Sequence, residues 1–275
     1  MAETISPPAG SSERPDTTYV FGPRRSGHHA IIKWLRKCHE AAGIATAHID
    51  DAYCAHLTYR EGEKPRVINL DEAHAETKSN QQLFVSFEDY PYHERAKLEL
   101  YSRLGRTSSH DVLVLRDWPN WIASRLSLID KEAAQGNPTL LDRLSWDDTV
   151  RVWTEYAQIM VNNVEGHPHC INYNRWMAEP GYDQQVAARY GLESRIEYRQ
   201  EVPFNGGGSS FQGRAFDGRA TDMNVLSRWN DLSPTLVPQF LEVTGSYPEA
   251  DALSQQLFGL NRARAVADLA VRGSA

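Results

Sequence analysis

Residues 22–29, GPRRSGHH, bring two glycines, two arginines, one serine and two histidines together in eight positions. An apolar run, TTYVF, leads in. A helical pattern leads out, with Ala30, Ile31, Trp34 and Leu35 on one face. Strand, glycine-bracketed loop and helix together make an anion cradle. Gly22 and Gly27 permit tight turns and close backbone approach. The amides of residues 26–29 then point inward at a helix N-terminus, where the dipole favours negative charge. A Walker loop would place Lys and Ser/Thr after its second glycine, for the phosphates and Mg²⁺ of a nucleotide. His28 and His29 stand there instead, and Arg25 brings a permanent charge from inside the loop. This pattern suits an anionic ester held without a metal. The plainer alternative is a strand-to-helix turn with basic surface residues, the histidines capping the helix or facing solvent.

GPRRSGHH resembles the 5′-phosphosulfate loop of the sulfotransferase superfamily, whose loops read approximately GxPRSGTT, GVRKGGTR or TYPKSGTTW. The resemblance places Arg25 beside the bridging oxygen of the donor, 3′-phosphoadenosine 5′-phosphosulfate (PAPS). It makes Ser26, Gly27, His28 and His29 the contacts to the 5′ group, with imidazoles replacing the usual Thr pair. A second family signature is an Arg ending a buried strand and a Ser eight residues on, together holding the 3′-phosphate. Arg116 ends DVLVLR, Ser124 follows at that spacing, and Asn120 replaces a common Asp between them. A strand-end guanidinium can bind phosphate bidentately, and a helical serine can add a hydroxyl donor. Taken alone, Arg-Asp at a strand end is also a common local ion pair.

Sulfuryl transfer to a hydroxyl needs positioning, a cation at the bridging oxygen and a base for the acceptor proton. Arg25 is the candidate cation. In the family the base, His or Glu, follows a strand comparable to QQLFVSF, so FEDYP makes Glu88 the candidate. Asp89, His93 and His28 are further candidates, and Glu88 and Asp89 could instead be solvated turn acids. FNGGGSSFQGRAFDGRA, residues 204–220, is glycine-rich yet carries Phe204, Phe211, Phe216, Arg214 and Arg219. It reads either as a linker or as a lid. It loosely resembles a basic family loop that closes over the nucleotide, with Ser209, Ser210 and Arg214 as contacts. INYNRW resembles a late family strand, with Asn174 where a Glu is usual, and no function is carried onto it.

The elements that must position these groups alternate. Strands are expected over residues 18–22, 47–50, 81–87, 111–116 and 169–174. Helices are expected over 28–42, 93–104, 118–129, 146–163 and 181–191, and through most of the chain after 221. Pro119 suits the first turn of its helix. Residues 57–80 are polar and read as a loop over the site, and KEAAQGNPT as another loop. DVLVLR is apolar enough for a strand covered on both faces. The expected fold is therefore α/β: a central parallel sheet flanked by helices, a P-loop-like three-layer sandwich. Residues 1–16 read as a flexible leader and 17–275 as a single domain.

Composition narrows the partners. The chain has 275 residues and a net charge of −7. Nucleic-acid binding draws on many Lys/Arg–phosphate contacts, so no nucleic-acid partner is expected and the anion site must be local. Cys38, Cys54 and Cys170 are scattered, no membrane span or signal peptide is recognisable, and a cytoplasmic protein is expected. No metal-binding spacing is evident. The resemblance implies a sulfuryl transfer from PAPS to a small-molecule or sugar hydroxyl, leaving adenosine 3′,5′-bisphosphate. Aromatic residues near 52–60, 87–93 and 204–216 favour a small molecule in a cleft. The alternatives are a metal-independent nucleotide-binding protein without turnover and a small-molecule kinase with a degenerate P-loop. The oligomeric state is not legible.

Overall fold

A computed structural model describes residues 17–52, 57–61, 64–76, 81–94, 109–137, 145–163, 166–202, 211, 213 and 215–273. Among them, seven strands form one sheet. In chain order these are β1 (Thr17–Gly22), β2 (Ala45–Asp50), β3 (Leu57–Glu61), β4 (Lys64–Ile68), β5 (Gln81–Glu88), β6 (Ser109–Leu115) and β7 (His169–Asn172). Their order across the sheet is β4-β3-β2-β5-β1-β6-β7. The five strands from β2 to β7 are parallel, and β3 and β4 add an antiparallel hairpin at the β2 edge.

Helices cover both faces. On one, α1 (His28–Ala41), α5 (Tyr173–Ala178) and α6 (Tyr182–Ala188) enclose Val20, Phe84, Val112, Val114 and Ile171 with Trp34 and Trp176. On the other, α3 (Trp118–Ala134), α4 (Trp146–Asn162), α7 (Val237–Ser246), α8 (Pro248–Phe258) and α9 (Arg262–Gly273) close over Phe21, Val85, Phe87, Leu113 and Leu115. Alternate residues of each strand thus feed opposite cores, as expected for a sheet covered on both sides. The three-layer α/β sandwich expected from the sequence is the architecture found.

Several local expectations are corrected. Residues 57–80 are not one loop: β3 and β4 pair as a hairpin, and α2 (Leu70–Glu76) follows. Helix α3 runs to Ala134, through the start of KEAAQGNPT. The last strand stops at Asn172 rather than 174, because the Asn172 side chain accepts from Arg175 N (3.0 Å) and caps α5. Around and after residue 221 the chain makes two 3-10 turns, Ala220–Asp222 and Arg228–Asp231, and helix resumes only at Val237. Most of the helix expected at 93–104 lies outside the described residues.

Parallel strands put their carboxyl ends on one edge. The GPRRSGHH loop, Asp50, Glu88, Arg116 and Tyr173 therefore share an edge, the usual ligand side of such a sheet. Pairing of Gly22 with Glu88 sets the carboxylate beside the start of the loop.

Candidate functional site

Two glycines shape the loop. A Cβ on Gly22 would meet Ser26 Oγ at 2.7 Å and His28 Cβ at 3.0 Å. Gly27 has φ +92°, and a Cβ there would sit inside the Tyr173 ring. Ser26 N donates to Pro23 O (2.8 Å), and the Gly27 carbonyl accepts from Ala30 N (3.0 Å) to start α1. Between them Arg25 takes the left-handed conformation, φ 74°, which a side-chain-bearing residue adopts only when its surroundings impose it.

The surroundings here are a buried ion pair. Asp89 Oδ1 accepts from Arg24 N (2.9 Å), while Arg125 binds both Asp89 oxygens at 2.9–3.1 Å. Arg125 Nη1 and Trp121 Nε1 each donate to Arg24 O at 2.9 Å. Both backbone polar groups of Arg24 are thus fixed from α3 and the end of β5. Asp89 anchors the loop and is not a solvated turn acid.

Glu88 faces the loop's imidazoles. Its Oε1 lies 3.2 Å from His28 Nε2 and 3.9 Å from His29 Nε2, and Arg24 Nε lies 3.6 Å from Oε2. Burial would raise the Glu88 carboxyl, but His28, His29 and Arg24 outweigh it and hold it at about 2. His28 is 1% exposed, and neither ring nitrogen makes a regular hydrogen bond; the Glu88 contact is close but misaligned. Burial, then the neighbouring His29, lowers the His28 pKa, so this imidazole is neutral. For His29, burial pulls down, yet Asp50 at 2.8 Å and Glu88 prevail and the pKa is raised. Asp50 in turn accepts from Ser86 Oγ (2.9 Å), one strand over.

The second signature comes together as spaced. Arg116 Nη1 donates to Ser124 Oγ (3.1 Å), and Nη2 donates to Val225 O. Its Nε is buried with no partner. A strand-end residue and one in the second turn of the following helix face each other, which is why a spacing of eight works. Burial pulls both Arg25 and Arg116 down to about 10, still cationic at neutral pH. Arg24, Arg116 and Arg228 each add to the fall at Arg25, so four guanidinium groups share one region. Ser26 Oγ is also buried there with no partner.

Three contributors carried no sequence signal. Arg228 is buried on a 3-10 turn, its N donating to Asn120 Oδ1 (2.6 Å) and its guanidinium lying 5.1 Å from the Phe211 ring. Only its being a basic residue after the glycine-rich segment could have pointed to it. Tyr173 packs on Gly27 and under Arg116, 5.6 Å from the ring centre. It also lines a cleft with Ala30, Lys33, Trp176, Tyr198 and Arg199 between α1 and the 3-10 turn Ile196–Arg199. Asp50 ends a strand read from AHID, but nothing in that string names its partner. Asn174 Nδ2 donates to Asp117 Oδ2 (2.8 Å), a structural link. His93 is exposed. Ser209, Ser210 and Arg214 lie outside the described residues.

Among the described residues no helix is long and apolar enough to cross a membrane. Compared with known proteins, the chain matches no family model and no curated sequence.

Proposed function

We propose that the protein binds PAPS and transfers its sulfuryl group to an acceptor hydroxyl. The observation that carries this reading is the convergence of Arg25, in a phosphate-type loop, with the Arg116–Ser124 pair and Arg228 at one sheet edge. Four arginines gathered in an otherwise acidic chain call for a multiply charged anion at two points. The loop amides, Ser26 and Arg25 suit the 5′ group. Arg116, Ser124 and Arg228 suit a 3′-phosphate, and the buried Arg116 Nε offers it a free donor.

PAPS supplies the activated sulfuryl group, with adenosine 3′,5′-bisphosphate as leaving group. Arg25 neutralises charge developing on the bridging oxygen. Glu88 offers its carboxylate to the acceptor hydroxyl, and neutral His28 Nε2 stands 3.2 Å from Glu88 Oε1. The two titrate as a pair, and the pair takes the proton. The same contacts hold Glu88 at about 2, which makes it weakly basic on its own. That favours, as a second reading, a nucleotide-binding protein without turnover.

Incubation with PAPS and a panel of hydroxyl acceptors, with chromatography of released adenosine 3′,5′-bisphosphate, separates the two. Acceptor-dependent release that is lost in Arg25→Ala supports the transferase. Tight nucleotide binding without release under any acceptor supports the second reading.

A further inference from the structure

We propose that His28, His29 and Glu88 form a binding site for a divalent transition-metal cation of the Zn²⁺ class. One ligand atom from each lies within 4.8 Å of the others. Donors around one tetrahedral ion at about 2.1 Å stand roughly 3.4 Å apart. The Glu88–His28 edge, 3.2 Å, already fits; the Glu88–His29 edge, 3.9 Å, and the edge between the two imidazole nitrogens, within 4.8 Å, close on the ion by rotation of the Glu88 carboxylate and of the His29 ring.

A second observation points to a ligand independently of that spacing. His28 is a buried imidazole whose Nδ1 has no hydrogen-bond partner and whose Nε2 meets only the Glu88 carboxylate, 3.2 Å away and out of hydrogen-bond alignment. Buried polar atoms left without a partner carry a desolvation cost, and a cation on Nε2 would remove part of it. Asp50 Oδ1 now shares a hydrogen bond with His29 Nε2 (2.8 Å); an ion on that nitrogen displaces the proton, and Asp50, already held by Ser86 Oγ, becomes a fourth donor. Two imidazoles with carboxylate oxygens select Zn²⁺, Co²⁺ or Ni²⁺ over Mg²⁺ and Ca²⁺, which prefer all-oxygen shells. The two carboxylates balance the charge of the ion. Arg24, 3.6 Å from the other Glu88 oxygen, opposes it and limits the affinity. Neither geometry nor ligand set depends on the sulfotransferase reading. Where that reading holds, the ion occupies the base and is an inhibitor.

The test uses the full chain stripped of metal, with no nucleotide present. Co²⁺ is titrated by visible absorption, and Zn²⁺ by competition with a chromophoric chelator. One ion per chain is expected, with a Co²⁺ spectrum of nitrogen–oxygen ligation, and Mg²⁺ in excess should not displace it. His29→Gln and Glu88→Gln should each weaken binding by about tenfold or more. His29 is on the accessible side of the cluster, so its variant keeps the test open if His28→Gln does not fold. The pair His110 and His169, whose rings lie 6.0 Å apart elsewhere on the sheet, gives the control. His110→Gln/His169→Gln should bind as the parent does. Absence of saturable one-to-one binding, or binding unchanged in both His29→Gln and Glu88→Gln, overturns the site. Failure of nucleotide binding would leave this result untouched, so the two readings fail separately.

Discussion

Asp89→Asn tests whether the loop is held from outside. The substitution keeps the shape and one oxygen, and Asn tolerates the left-handed backbone, φ 51°, found at this position. What it removes is the charge facing Arg125, a guanidinium whose side chain is 1% exposed against 7% for Asp89. Breaking a buried pair by neutralising one partner costs about 3–5 kcal/mol. The retained carbonyl oxygen can still accept from Arg24 N or Arg125, so the lower end, about 3 kcal/mol, is expected. For a chain of this size that lowers the melting temperature by roughly 6–12 °C. Urea unfolding of the parent, Asp89→Asn, Arg125→Met and the double variant gives the coupling. The double variant removes both charges, so it should recover about 1–3 kcal/mol relative to the sum of the singles. A loss below about 1 kcal/mol in Asp89→Asn, or additive singles, would refute the anchoring role.

Other outcomes follow from the same geometry. Gly27→Ala places a methyl in the Tyr173 ring at a left-handed position, and should cost about 2–4 kcal/mol in urea unfolding, with Tyr173→Leu restoring part of it. In metal-free protein, Glu88 is held at about 2 against an ordinary 4.5, so its contribution is present above pH 4.5 and lost as pH falls toward 2. It amounts to about 3 kcal/mol, and Glu88→Gln should flatten the acid limb of a stability–pH profile by that order. His29 has the opposite sign. Its raised pKa stabilises the fold below 6.5, and the gain disappears as pH rises through the folded value, so His29→Gln should remove an alkaline decline. Ser124→Ala takes the hydroxyl from Arg116 Nη1 and should weaken adenosine 3′,5′-bisphosphate about tenfold or more, with little change for 5′-AMP.

What was legible in the sequence follows physical signal strength. TTYVF, QQLFVSF and DVLVLR are continuous apolar runs because both faces of β1, β5 and β6 are buried. The Arg116–Ser124 pair was legible only through the family resemblance; strand-end and helix-turn geometry are what turn that spacing into contact. The β3–β4 hairpin was not. It pairs by backbone at an open edge, where no long apolar run is required, and LTYREGEKPRVI reads as polar loop. Tyr173 and Asn174 were read as strand because HCIN and the following YN form one unbroken pattern, and only the Asn172 side-chain cap decides where it ends. Arg228 comes to Asn120 across 108 positions, a contact no local period can encode. The net charge of −7 concealed the arginine cluster for a similar reason: the acidic excess is spread along the chain, and the fold gathers Arg24, Arg25, Arg116 and Arg228.

Calorimetric titration with adenosine 3′,5′-bisphosphate, beside 5′-AMP and ATP with Mg²⁺, tests the central claim most directly. Tight one-to-one binding of the bisphosphate in chelator, weak binding of 5′-AMP, and loss of that preference in Arg116→Ala are expected. Preference for Mg-ATP, or bisphosphate affinity unchanged in Arg116→Ala, would contradict the two-point anion site.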